Sequence, residues 1–81
     1  MIVEVIFYTR PNCGLCDEAK LLLELVQEDE PFSIEERNIE ERDEWTEEYG
    51  LMIPVIIVDE KIVQYGKVDY VTLSKRLQKN T

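Results

Sequence analysis

The sequence predicts an α/β domain: a four-stranded mixed sheet with helices on both faces, in the order β-α-β-α-β-β-α. Three observations predict it. A nearly all-apolar run at residues 2–8 is followed by an amphipathic stretch at 15–28, the change from strand to helix character that a β-α unit requires. A second such pair follows at 32–39 and 40–49. Two short apolar runs, 55–58 and 62–65, then read as a hairpin, and a final helical pattern closes the chain. Strand, helix and strand in succession make a parallel pair; the hairpin adds antiparallel strands. With 81 residues the chain is expected to form one domain, 1–81, with a thin core.

The first run, Ile2-Val3-Glu4-Val5-Ile6-Phe7-Tyr8, is rich in β-branched residues and suits a central strand covered on both faces. Thr9-Arg10-Pro11-Asn12 is a loop, in which Pro11 keeps Arg10 out of the helical region. The helix at 15–28 carries Leu15, Ala19, Leu22, Leu23 and Val26 as an apolar stripe, widened by Leu21 and Leu25. Asp17 and Glu18 suit its first turn, and Pro31 stops it. In 32–39, Phe32 and Ile34 alternate with Ser33 and Glu35, and this polarity suggests an edge strand.

The helix at 40–49 has Glu40 and Glu41 near its start, and Gly50 just past its end fits a C′ residue. Trp45 and Tyr49 lie one turn apart on a packing face. Pro54 opens the third strand, where its missing N–H does least harm. Asp59-Glu60 turns the hairpin. The last helix runs from about 68 or 69 to 78, with Tyr70, Leu73 and Leu77 on one face and Lys75, Arg76 and Lys79 near its end.

The longest apolar run, 51–58, is far short of the ~20 residues that span a bilayer. The first residues carry no basic n-region, so no signal peptide is read and the expected location is cytoplasmic. The formal charge of −9 is uneven: residues 1–60 carry a net −13 and residues 61–81 a net +4. An acidic chain of this kind does not offer the clustered cations that nucleic acid requires. The asymmetry reads as solubility with a dipole-matched last helix, or as an acidic face that selects a basic partner. A monomer is expected, with no nucleic-acid and no membrane partner.

The only two cysteines, Cys13 and Cys16, stand three residues apart at the first strand-to-helix junction. Residues at this spacing in a helical turn lie about 5–6 Å apart, the Cα separation a disulfide needs. A thiol at a helix start faces unpaired N–H groups and the positive end of the dipole, so Cys13 should be the thiolate nucleophile. Cys16, one turn inward, can resolve a mixed disulfide, and Asp17 beside it should keep it protonated. With no histidine and no third cysteine, one chain cannot complete a zinc site. A cysteine pair in an unsecreted chain points to a catalytic dithiol, against inert core thiols or a metal shared between chains. Arg10, three residues before Cys13, is read either as a source of positive potential or as a solvated loop charge.

Three pieces of this chain resemble the glutaredoxin-like branch of the thioredoxin superfamily. They are Tyr8-Thr9-Arg10-Pro11-Asn12-Cys13-Gly14-Leu15-Cys16, then Met52-Ile53-Pro54, then Tyr65-Gly66-Lys67-Val68-Asp69. The resemblance implies a thioredoxin/glutaredoxin-like fold. It implies a thiol–disulfide oxidoreductase with Cys13 as nucleophile and Cys16 as resolver. It also implies a cis Pro54, with the free N–H and C=O of Ile53 open to an extended substrate or glutathione, and substrate-binding places at Gly66 and Asp69. Gly14-Leu15 stands where such proteins commonly have Pro-Tyr, and Gly66 is single where they have paired glycines. No bound cofactor is implied. The electron donor is expected to be a thioredoxin-reductase-like protein rather than glutathione, because the acidic 40–49 helix should repel an anion. The substrate is a disulfide in a protein or small molecule. The alternative is a thioredoxin-fold binding module, or an iron–sulfur carrier using Cys13.

Overall fold

The computed structural model describes residues 3–77; the expectations for Ile2, Gln78 and Lys79 lie outside the described residues. Strand β1 (Val3–Thr9) is central, as its apolar sequence requires. Strand β2 (Phe32–Asn38) lies parallel to it at one edge, with Val3 opposite Phe32 and Thr9 opposite Asn38. On the other side β3 (Val55–Val58) runs antiparallel to β1, and β4 (Lys61–Tyr65) forms the second edge. The sheet order is therefore β2-β1-β3-β4. Thr9, expected in the loop, is the last paired residue of β1 and is buried.

Alternation along β1 divides the core between two faces. Val5 and Phe7 pack with Ile56 under helices α1 (Gly14–Asp29) and α3 (Tyr70–Leu77). Tyr8 faces the other way, with Val55 and Ile39, beneath α2 (Asp43–Tyr49). The first face is the larger core and holds Cys16, Ala19, Leu23 and Val26.

Ala19, Leu23 and Val26 of the expected stripe are buried, joined by Cys16, and Leu22 packs against the core as a partly buried residue. Leu15, Leu21 and Leu25 are exposed instead. Successive residues turn by about 100°, which carries Leu21 and Leu25 to the side of the helix opposite the sheet. The helix ends at Glu30, held extended by the following Pro31.

The helix expected at 40–49 is two elements. Ile39–Glu41 forms a 3-10 turn, and an extended Arg42 (φ −142°, ψ 133°) separates it from α2. The Asn38 side chain accepts the Glu40 N–H at 2.9 Å, and the Thr46 hydroxyl donates to the Ile39 carbonyl at 2.7 Å. Both bonds hold the buried Ile39 where a continuous helix would swing it out. Gly50 is also not the left-handed residue expected, since its φ and ψ are −56° and −32°. Glycine is needed there for approach: a Cβ would lie 2.5 Å from the Thr46 carbonyl oxygen.

Trp45 and Tyr49 do pack: Tyr49 stacks on Tyr8 with ring centroids 4.2 Å apart, and Trp45 meets Tyr8 edge-to-face at 5.5 Å. The Arg37 guanidinium lies over the Tyr8 and Trp45 rings and donates to the Tyr8 hydroxyl at 2.7 Å. Glu35 pairs with the same guanidinium.

The hairpin turn places Asp59 (φ 53°) and Glu60 (φ 66°) in the left-handed region, the geometry of a type I′ turn. Asp tolerates it, but Glu has no local hydrogen bond that favours it. Glu60→Gly is expected to raise stability by about 0.5–1 kcal/mol, and Tm by roughly 2–8 °C, in a thermal melt.

Candidate active site

The Pro11-Asn12 turn delivers the chain from β1 to α1. Asn12 has φ 59°, a left-handed conformation that Asn adopts more readily than most residues, and Cys13 is then the N-cap of α1. Its Sγ accepts the Cys16 N–H at 3.1 Å, and its carbonyl accepts the Asp17 N–H at 3.1 Å. A cap position ordinarily held by a Ser or Asp oxygen is thus held by sulfur. A donor aimed at Sγ favours the thiolate over the thiol. The Cα atoms of Cys13 and Cys16 are 5.2 Å apart and the sulfurs are at disulfide-bonding distance. Cys13 is half-buried, whereas Cys16 is 1% exposed.

The Ile53–Pro54 bond is cis. Ile53 packs against both cores, that of Cys13 and Cys16 and that of Tyr8 and Val55, so it joins α2 to the dithiol. Its backbone departs from expectation. The Ile53 N–H donates to the Tyr49 carbonyl at 3.0 Å, beside Met52 N–H at 2.8 Å. Among the described residues no backbone N–H donates to the Ile53 carbonyl. The short α2 ends immediately before this segment, and its last carbonyls take the nearest donors.

Gly66 (φ 72°) donates its N–H to the carbonyls of Met52 and Pro54, each at 2.9 Å, and so ties the end of β4 to the cis-proline segment. No atom lies within 4 Å of where its Cβ would stand, so backbone conformation rather than space calls for glycine.

Asp69 caps α3. One carboxylate oxygen accepts the Thr72 N–H at 2.9 Å and the other accepts the Gln64 side-chain amide at 3.0 Å. The sequence signal for Gln64 is a lone polar residue inside an apolar strand run. These bonds, that from Thr72 first, hold the Asp69 carboxyl below the usual carboxylate range. A carboxyl more acidic folded than unfolded adds stability above its unfolded value, and loses it as pH falls through its folded value. Asp69→Ala should therefore lower Tm at pH 7, and the Tm gap to the parent should close as pH falls below about 4.

Arg10 is exposed. It lines a hollow of about 230 Å³ together with Cys16, Thr9, Asn12, Lys20 and Glu36. Lys20 pairs with Glu36 at 3.2 Å, and that carboxylate raises the Lys20 pKa. The structure thus brings Cys13, Cys16, Ile53, Pro54 and Gly66 to one end of the sheet. Arg10 lines the hollow beside Cys16, and Asp69 is engaged in its own helix cap.

The family model described as Glutaredoxin-like domain (DUF836) matches residues 4–78. The chain belongs to the glutaredoxin-like family. A glutaredoxin-like protein of Dictyostelium discoideum is 33% identical over 73 residues, covering 83% of this chain and 68% of that protein. Solved structures share the fold at lower identity. A protein of Nitrosomonas europaea superposes with a TM-score of 0.82 at 24% identity, covering 96% of this chain and 94% of that one. A mutant thioredoxin of Halobacterium salinarum gives 0.67 at 20%, covering 93% and 71%. Thioredoxin 1 of Thermosipho africanus gives 0.60 at 12%, covering 91% and 93%. The fold of this glutaredoxin-like chain is the thioredoxin fold. No helix among its described residues is long and apolar enough to cross a membrane.

Proposed function

We propose that this glutaredoxin-like chain is a thiol–disulfide oxidoreductase of a reducing cytoplasm. The observation that carries the reading is Cys13 at the helix start, its Sγ accepting an N–H, with Cys16 within bonding distance behind it. The Cys13 thiolate attacks one sulfur of a substrate disulfide. The other sulfur leaves as a thiolate and takes up a proton. Cys16 gives up its proton and attacks the Cys13 sulfur, releasing the second substrate thiol. The substrate has gained two electrons and the chain has become the Cys13–Cys16 disulfide. A donor returns the electrons by the same exchange in reverse. Cys16 lines a hollow open to solvent, so its proton has a way out although the sulfur is buried.

The donor in this reading is a thioredoxin-reductase-like protein rather than glutathione. Three features support that. The Ile53 N–H, which would pair with the peptide backbone of glutathione, is taken by Tyr49. Both Asp69 oxygens, which would meet its ammonium group, are engaged by Thr72 and Gln64. The helix beside Ile53 is acidic, and glutathione is a net anion. NADPH-coupled reduction of the oxidised protein tests the choice, once with thioredoxin reductase and once with glutathione and its reductase. Turnover is expected with the first; efficient turnover with the second alone reverses the assignment.

A further inference from the structure

Resting on the oxidoreductase reading, we infer that the surface around Cys13 docks a basic polypeptide that places an apolar side chain against Leu51. Leu51 is fully exposed, although it stands two residues before the cis peptide bond of Ile53 and Pro54. Leu15, between the cysteines, is 45% exposed, and Tyr65, paired with Val55 just after Pro54, is 57% exposed. The three apolar side chains come from three separate segments. All three segments meet at Ile53 and Pro54: one carries the dithiol, one the cis peptide, and one is bound to it through Gly66. An isolated exposed leucine needs no explanation, but apolar groups from converging segments around a nucleophile mark a contact surface.

Charge chooses the occupant. Leu51 follows α2 directly, and Trp45 and Tyr49 turn inward from that helix. Asp43, Glu44, Glu47 and Glu48 are all exposed, and at helical spacing they form one stripe on its outer side. Glu44 is 3.6 Å from the Arg42 guanidinium; among the described residues the other three carboxylates have no ion-pair partner. An apolar rim beside an uncompensated acidic stripe fits a chain with Lys or Arg near an apolar residue, and disfavours an acidic one. The Ile53 carbonyl offers such a chain one backbone acceptor.

The test uses two peptides, each with one internal disulfide and a leucine beside it, one with flanking lysines and one with flanking glutamates. The reduced protein is oxidised by each, and by neutral hydroxyethyl disulfide as the reference for basal thiol exchange. The basic peptide should react about 10-fold faster or more at low ionic strength, and the advantage should shrink at ~0.5 M salt. The triple variant Glu44→Lys, Glu47→Lys, Glu48→Lys should reverse the preference. Leu51→Ser should slow both peptides by roughly 10-fold and leave hydroxyethyl disulfide unchanged. Equal rates for the two peptides, or a preference that the triple variant leaves intact, overturns the inference. Binding of the basic peptide with serines in place of its cysteines, followed by NMR shifts at Leu51 and α2, is read in parallel. Shifts without any disulfide exchange support the docking and refute the oxidoreductase reading; exchange without charge preference does the reverse.

Discussion

Cys13→Ser is expected to abolish disulfide exchange, a loss of at least about 1,000-fold, whereas Cys16→Ser should still attack a disulfide once and then stall. The difference follows from burial and capping. Cys13 is half-buried at the helix start, with an N–H donated to its sulfur, so an incoming disulfide can reach it. Cys16 is 1% exposed beneath it and meets a sulfur only when Cys13 brings one. Cys16→Ser should therefore accumulate a mixed disulfide that intact-mass measurement detects as an adduct released by dithiothreitol. Cys13→Ser should show none. Limiting iodoacetamide near pH 7 should label Cys13 first in the reduced parent. Labelling of Cys16 ahead of Cys13 would reverse the two roles.

Much of this was legible in local sequence, because the signals were local. The strand-to-helix change at the dithiol, the hairpin and the element order all come from periodicity within short windows. The cis bond at Pro54 was legible only through the resemblance, since no local signal separates it from a trans one. Misreadings arose where a non-local partner decides. Arg42 leaves the helical region because Ile39 is held in the core and Thr46 reaches back to its carbonyl. No glycine or proline marks that break. The Ile53 N–H and the Asp69 carboxylate read as open binding groups, yet each has a partner from another turn or strand. A sequence places a donor near a site and does not say who else competes for it. Leu51 is the converse: it reads as part of an apolar run and stands wholly in solvent.

Helix α1 carries leucines over so wide an arc that the stripe read from periodicity takes in the exposed Leu15, Leu21 and Leu25 beside the buried Leu23, and stability measurements separate the two faces. Leu23→Ala should cost about 3–5 kcal/mol, and Leu21→Ala less than about 0.5 kcal/mol. Leu23 is wholly buried with Phe7, Ala19 and Leu73 between helix and sheet. Removing its isobutyl group loses the transfer free energy and leaves a cavity that a β1-centred sheet cannot collapse to fill. Leu21 is 63% exposed two residues earlier, and truncation there removes surface that water already touches. For a domain of this size, a total stability of ~5–10 kcal/mol leaves Leu23→Ala with only about 0–7 kcal/mol, its Tm lowered by roughly 12–40 °C. The loss extends to chemistry, because Leu23 and Cys16 lie on the same buried stripe, and the helix start that aims an N–H at Cys13 Sγ is positioned by that packing. Below its own melting point, Leu23→Ala should therefore also blunt the preference of iodoacetamide for Cys13 over Cys16, while Leu21→Ala keeps it. Equal Tm losses in the two variants would mean that α1 is rotated about its axis from the orientation described.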